Sequence, residues 1–179
     1  DGDNPNARIL GFRAGFPNRS DDYINLFGHS SLDRLIEYYS LPQILSNYGQ
    51  PEQIFFLAWE LEPVAPLTRE VYLIALYYPE QGFLIQYNGH AVQNTGTHLV
   101  ICPREMSVDV VTWDPLQNPT LEEVTKSGNS FTLNLVYLQY TTYRMIEEAS
   151  SLTVEEFYER YRNPDHTECF ETPTEYWRR

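Results

Sequence analysis

The order of patterns along the chain predicts an α+β fold: an antiparallel β-meander of about four or five strands packed against N-terminal and C-terminal helices. Three observations predict it. Helical periodicity occupies residues 32–48, strand-like runs fill residues 54–113, and helix-capping motifs return from residue 120 onward. Strict alternation of strand and helix is missing, which disfavours a doubly wound nucleotide-binding sheet. The chain has 179 residues, 42% hydrophobic and 21% charged, which suits one globular domain spanning residues 1–179.

Residues 1–30 are rich in Gly, Asn, Asp and Arg with isolated aromatics, and read as an irregular segment lying over the main body. Leu32, Leu35, Ile36 and Tyr39 then stand at i, i+3, i+4 and i+7, one face of a helix. The template recurs at Leu41, Ile44, Leu45 and Tyr48, with Ser40 and Gln43 in a capping-box pattern, Gly49 as the stop and Pro51 beyond it. Residues 54–61 are almost continuously apolar. Residues 71–78 are apolar on both alternating sets, which marks a central strand covered on both sides. The turn Pro79-Glu80-Gln81-Gly82 joins that strand to Phe83, Ile85 and Tyr87, so the pair is an antiparallel hairpin. Residues 88–96 read as a polar loop. Residues 99–102 and 108–113 supply two more strands around a turn at 103–107.

The C-terminal third reads as helical. Thr120–Glu123, Thr153–Glu156 and Thr172–Glu175 each fit a capping box, the last with Pro173 at the first helical position. Val154, Phe157, Tyr158 and Tyr161 continue the second box as an apolar stripe. Residues 131–149 carry the Thr and aromatic content of a strand and the Leu135, Leu138, Met145, Ile146, Ala149 spacing of a helix; helix is favoured.

Charge excludes whole classes of partner. Twelve Lys+Arg against twenty-five Asp+Glu give −13, and Lys126 is the only lysine. The basic residues are scattered, so no cluster exists to neutralise phosphates or hold an anionic membrane. Nucleic acid is therefore not an expected partner. No run of about 18 apolar residues exists, so no transmembrane helix is expected. The first six residues have neither the basic nor the apolar region of a signal peptide. They fit a stub left after signal removal, or a cytosolic start that has lost its Met.

No motif carries catalytic chemistry. Phosphate-binding glycine loops are missing, and Gly28-His29-Ser30 is followed by Ser31 and Leu32 where a nucleophile elbow needs Gly two residues after the serine. His90 and His98 flank the polar loop and with Cys102 would imitate a metal site, but histidines in such loops are more often solvated. Glu60 with Glu62, and Asp109 with Asp114, are the carboxylate pairs for acid–base work, against a background of twenty-five acids that makes such pairs inevitable. Asp1, Asp3 and Asn6 lack the Gly and terminal Glu of a calcium loop. No cofactor or metal is expected. Aromatics make up 15% of the chain, and if some form a contact surface, Tyr87, His90 and Trp113 beside the polar loop are the candidates for ligand or partner binding.

Cys102 and Cys169 are the only cysteines, and their separation argues against a zinc site or a C-x-x-C redox motif. Pairing them leaves no odd thiol. It also tethers the tail, residues 163–179, which has only Phe170, Tyr176 and Trp177 to bury. The rival is two buried thiols in a reducing compartment.

Residues 41–54, Leu-Pro-Gln-Ile-Leu-Ser-Asn-Tyr-Gly-Gln-Pro-Glu-Gln-Ile, resemble the helix–YGxPxxI–strand entry of small bacterial envelope lipoproteins of the SmpA/OmlA (BamE-like) and β-lactamase-inhibitor-like type. Residues 151–158 and 169–177, with Ile101-Cys102-Pro103, look like exported envelope lipoproteins of the Chloroflexi type. The resemblance covers about half the chain, carries over no catalytic residue, and implies an extracytoplasmic location with a lipid anchor upstream of Asp1. The function expected is a non-catalytic extracytoplasmic domain binding another envelope protein or a small ligand. A cell-surface hydrolase using paired carboxylates and an inhibitory or structural envelope module remain open alternatives.

Overall fold

A computed structural model describes residues 10–14, 38–60, 70–103, 106–117, 143–166 and 168–177. Its strands are β1 (Leu10–Ala14), β2 (Gln53–Glu60), β3 (Glu70–Tyr78), β4 (Phe83–His90), β5 (Gln93–Asn94), β6 (His98–Ile101), β7 (Ser107–Thr112), β8 (Arg144–Met145) and β9 (Phe170–Pro173). Its helices are α1 (Leu41–Tyr48), α2 (Ile146–Ala149) and α3 (Val154–Tyr161). The fold is α+β, with antiparallel sheets and helices packed on them.

The main sheet has the order β1-β7-β4-β3-β2-β8, so β3 is internal, as its two-sided apolar pattern requires. The β3–β4 hairpin forms around Gly82, whose φ of 73° is a left-handed value that glycine adopts without steric cost. Side chains alternate between the two faces. One face carries Ile54, Phe56, Tyr72, Ile74, Leu76, Ile85, Tyr87, Val108 and Val110. It packs against Leu41, Ile44 and Leu45 of α1, Ile146 and Ala149 of α2, and Val154, Phe157 and Tyr161 of α3. The opposite face carries Phe55, Leu57, Leu73, Ala75, Tyr77, Leu84, Val111 and Trp113.

The strands around the turn at 103–107 do not belong to one meander. β7 takes the free edge of β4 and pairs in turn with β1, whereas β6 joins β5 and β9 in a separate three-stranded sheet. The edge β4 offers can be used once, and β6 finds its second partner in the C-terminal tail. There His98, Leu99, Val100 and Ile101 stand opposite Pro173, Thr172, Glu171 and Phe170. The loop expected at 88–96 is shorter than read, because β4 runs on to His90 and β5 pairs with β6 through Gln93–Val100 and Asn94–Leu99. Within the stretch expected to be irregular, β1 pairs with β7 from Leu10–Thr112 to Ala14–Val108.

Helix ends follow the sequence in part. Thr153 Oγ1 accepts from Glu156 N at 3.1 Å and Glu156 Oε2 accepts from Thr153 N at 2.8 Å, a complete capping box. Ser40 occupies the N-cap of α1 without a side-chain cap bond. Gln43 turns away from it and donates to Asn47 Oδ1 at 2.9 Å, one turn along the helix. The box at Thr172–Glu175 does not form: Thr172 lies in β9, Pro173 caps a single 3-10 turn, Thr174–Tyr176, and Thr172 Oγ1 accepts from Trp177 Nε1 at 2.9 Å. Residues 144–149 divide between β8 and α2 rather than forming helix throughout. The helix read at 32–39, apart from its last two residues, the box at 120–123 and residues 131–142 lie outside the described residues.

The tail is anchored through several contacts. Cys102 and Cys169 form a disulfide across 67 positions. Directly after it Phe170 is buried, its ring edge-on to Phe56 at 5.5 Å and to Phe157 at 6.3 Å. Thr174 donates to Gly96 O and Thr97 O, and Trp177 packs against both core clusters.

Candidate functional site

Tyr87, His90 and Trp113 do not form one surface. Tyr87 is 2% exposed on the α1-facing side, where its hydroxyl donates to Tyr39 O at 3.0 Å. Burial, and secondarily Tyr78, push its phenol well above the ordinary tyrosine range. Trp113 is also buried, but on the opposite face, 5.8 Å from the Tyr77 ring centroid. His90 is exposed at the far end of β4. The register places Thr112 opposite Phe83, so Trp113 and His90 are at opposite strand ends, roughly 20–25 Å apart at 3.3 Å per residue. Trp113 follows β7, 17 positions after the loop read at 88–96, and the pairing of β7 with β4 carries it to the end of the sheet away from that loop.

The other candidates resolve individually. The Cys102 sulfur is bonded to Cys169, so it is no thiolate partner for His90 or His98. His98 Nδ1 lies 3.1 Å from Thr97 Oγ1. Asp109 is buried in the sheet, with Oδ2 accepting from Asn88 Nδ2 at 3.2 Å, whereas Asp114 is exposed and its Oδ1 accepts from Leu116 N. Of the Glu60–Glu62 pair only the Glu60 backbone is described, and residues 1–6 lie outside the described residues.

A different aromatic group reaches the surface. Tyr38, 48% exposed, lies just before α1, and Tyr48, 37% exposed, is its last residue. A side-chain hydrogen bond with Tyr38, then burial, raise the Tyr48 phenol above its ordinary value. Behind them the rings are held from several sides. Tyr38 meets Tyr39 edge-on at 5.0 Å, Tyr48 meets Phe83 edge-on at 4.7 Å, and Phe83 stacks on Tyr78 at 4.7 Å. The Tyr78 hydroxyl donates to Gly49 O at 2.9 Å, tying the end of α1 to β3. Exposed tyrosines backed by buried rings present large, stiff and amphipathic area at low entropic cost.

The sequence placed Tyr48 on the core stripe of α1 and missed its exposure. Its signal was position: it is the last helical residue before Gly49, so it ends at the rim of the core. Residues 38–51 also carry no Asp, Glu, Lys or Arg, in a chain of net charge −13. Residues 92–98 also carry no Asp, Glu, Lys or Arg, but have no Phe, Tyr or Trp, and their polar groups serve the turn. Asn94 Oδ1 accepts from Gly96 N, and Thr95 Oγ1 accepts from His98 N. No protein-family model, curated protein or solved structure matches the chain.

Proposed function

We propose that the protein is a non-catalytic extracytoplasmic binding domain whose contact surface is the Tyr38–Tyr48 face. The observation that carries this reading is the pair of exposed tyrosines set on the Tyr39–Tyr78–Phe83–Tyr87 cluster, an aromatic surface whose ordering cost is met before any partner arrives. The disulfide supports the location, because cytosolic reductants keep thiols open in most organisms. The envelope-lipoprotein resemblance of residues 41–54 belongs to the same proposal, as does a lipid anchor upstream of Asp1.

Retention on the isolated envelope of the producing organism tests the surface. Wild-type protein is expected to be retained, with a Tyr38→Ser, Tyr48→Ser double variant at least ten-fold weaker and unchanged in its circular dichroism. Equal retention of both would overturn the role of this face. Tyr38→Ser alone, at the more exposed ring, keeps the comparison valid if the double variant unfolds.

A further inference from the structure

Among the arginines whose side chains are described, Arg144 stands apart from Arg160 and Arg162. It lies on the edge strand β8, opposite Phe56 in β2. The C-terminal turn folds over it, so that its guanidinium carbon is 4.3 Å from the Tyr176 ring centroid, while Trp177 packs on Phe56 at 5.4 Å. Arg160 has Glu168 at 3.9 Å and Arg162 has Glu159 at 2.7 Å. Arg144 has no carboxylate at ion-pair distance among the described residues, although Glu147 and Glu148 follow it closely in sequence and Glu175 directly precedes Tyr176. In a chain with twenty-five acids and twelve bases, an arginine without a carboxylate partner among the described residues is against composition.

Its Nε is buried and has no partner among the described residues, whereas the residue as a whole is only half-buried. Stacking on Tyr176 fixes the guanidinium plane, which lowers the entropy lost when its donor fork engages a ligand. We propose that Arg144, held by Tyr176, is a binding site for an oxyanion that presents two oxygens to one edge of the guanidinium, the chemistry shared by carboxylates and phosphate. Two parallel N–H···O bonds form, both donated by Arg144, and no proton moves. The net charge of −13 opposes anions in general, so discrimination rests on this contact and not on long-range attraction.

Arginine side-chain NMR on the full chain tests it. The Nε–Hε resonance of Arg144, assigned by its loss in Arg144→Lys, is followed against malonate and, separately, inorganic phosphate, with chloride holding ionic strength constant. A saturable shift at Arg144, with Arg160 and Arg162 unmoved, is the expected result, and the anion that saturates first names the source. Tyr176→Leu should weaken the midpoint at least five-fold, and Tyr176→Phe should leave it unchanged. Backbone shifts of residues 174–177 in the same titration should vanish in Arg144→Lys. A linear response, equal shifts at all three arginines, or unaltered backbone shifts in Arg144→Lys would overturn the site.

Discussion

A carboxamide buried without a partner costs about 1–3 kcal/mol for each unsatisfied group. Gln86 is fully buried in the middle of the main sheet, and neither its amide nitrogen nor its oxygen has a partner among the described residues. Gln86→Met keeps the length of the side chain and removes both groups, so it should raise stability by about 1–3 kcal/mol, read as a higher urea midpoint at unchanged m. A lower midpoint would mean that the amide is satisfied in solution. Gly82 and Gly49 form a second comparison. Both have positive φ, 73° and 80°, but a Cβ on Gly82 would lie 2.5 Å from Trp113 O and 2.8 Å from Pro115 Cγ, whereas one on Gly49 meets nothing within 4 Å. Gly49→Ala should therefore cost roughly 1 kcal/mol from backbone strain alone, and Gly82→Ala distinctly more, by the same denaturation measurement. Equal costs would mean that the β3–β4 turn moves freely away from Trp113. The buried phenols supply a pH prediction. Burial pushes Tyr161 up to about 12, and Tyr78 and Tyr87 rise for the same first cause. A folded-state pKa above the unfolded value of about 10 gives stability that is complete below pH 10 and lost as pH rises through the folded value. Stability should fall from pH 10 upward, with these three phenolates appearing at 295 nm only as the protein unfolds; smooth ionisation of every tyrosine near pH 10 in folded protein would contradict their burial.

Among the elements, α3 was the most legible in sequence and β9 the least. The α3 box needs only Thr153 and Glu156, three residues apart and both exposed, so local sequence decides it. The same pattern at Ser40 fails because Gln43 has a competing partner one turn ahead in Asn47, and at Thr172 because the backbone is already committed to β6. Strand pairing is the part a local pattern cannot hold. Leu10–Ala14 has no strand character of its own beyond its length, and becomes a strand because β7 presents an edge to it. Phe170–Pro173 carries a proline that suggests a helix start, yet Pro173 sits at the end of an outer strand, where a missing N–H is tolerated. For α3 the expected outcome is specific: Thr153→Ala should lower stability by about 1 kcal/mol through loss of the cap. Hydrogen bonds from the Thr153 backbone and side chain lower the pKa of Glu156 from 4.5. That contribution is present above the unfolded value and is lost as pH falls below it through the lowered folded value. Glu156→Gln should flatten this part of the stability profile below pH 4.5, and an unchanged acid limb would show that the box does not persist in solution.

At the scale of the whole molecule, the disulfide closes a topology that the strands alone leave open. The two-sheet division was hidden in sequence, because β6 and β9 are short and 68 residues separate Ile101 from Phe170; the Cys102–Cys169 pair, each next to one of them, was the only long-range constraint legible there, and it is formed. The aromatic surface was legible in kind but not in place, since composition shows that tyrosines abound and only packing decides that Tyr87 turns inward and Tyr38 outward. The same packing fixes what reduction of the bond should do. In the chain-entropy account, a crosslink closing a loop of this size stabilises by about 4 kcal/mol, by restricting the unfolded chain and not by holding the folded one. The tail has its own native anchors: four cross-strand pairs to β6, the buried Phe170 ring and the Trp177–Thr172 hydrogen bond. Reduced protein, and the Cys102→Ser, Cys169→Ser double variant, should therefore keep the near-UV signal of packed aromatics while losing about 4 kcal/mol in urea unfolding. Amide exchange should quicken first in residues 168–177 and in β6, and only later in β3, which lies inside the main sheet. Natively oxidised protein should be two hydrogens lighter than reduced protein by intact mass and should resist alkylation. Loss of near-UV signal on reduction, with uniform exchange across both sheets, would show instead that the tail has no stability of its own and that the bond alone keeps the second sheet in place.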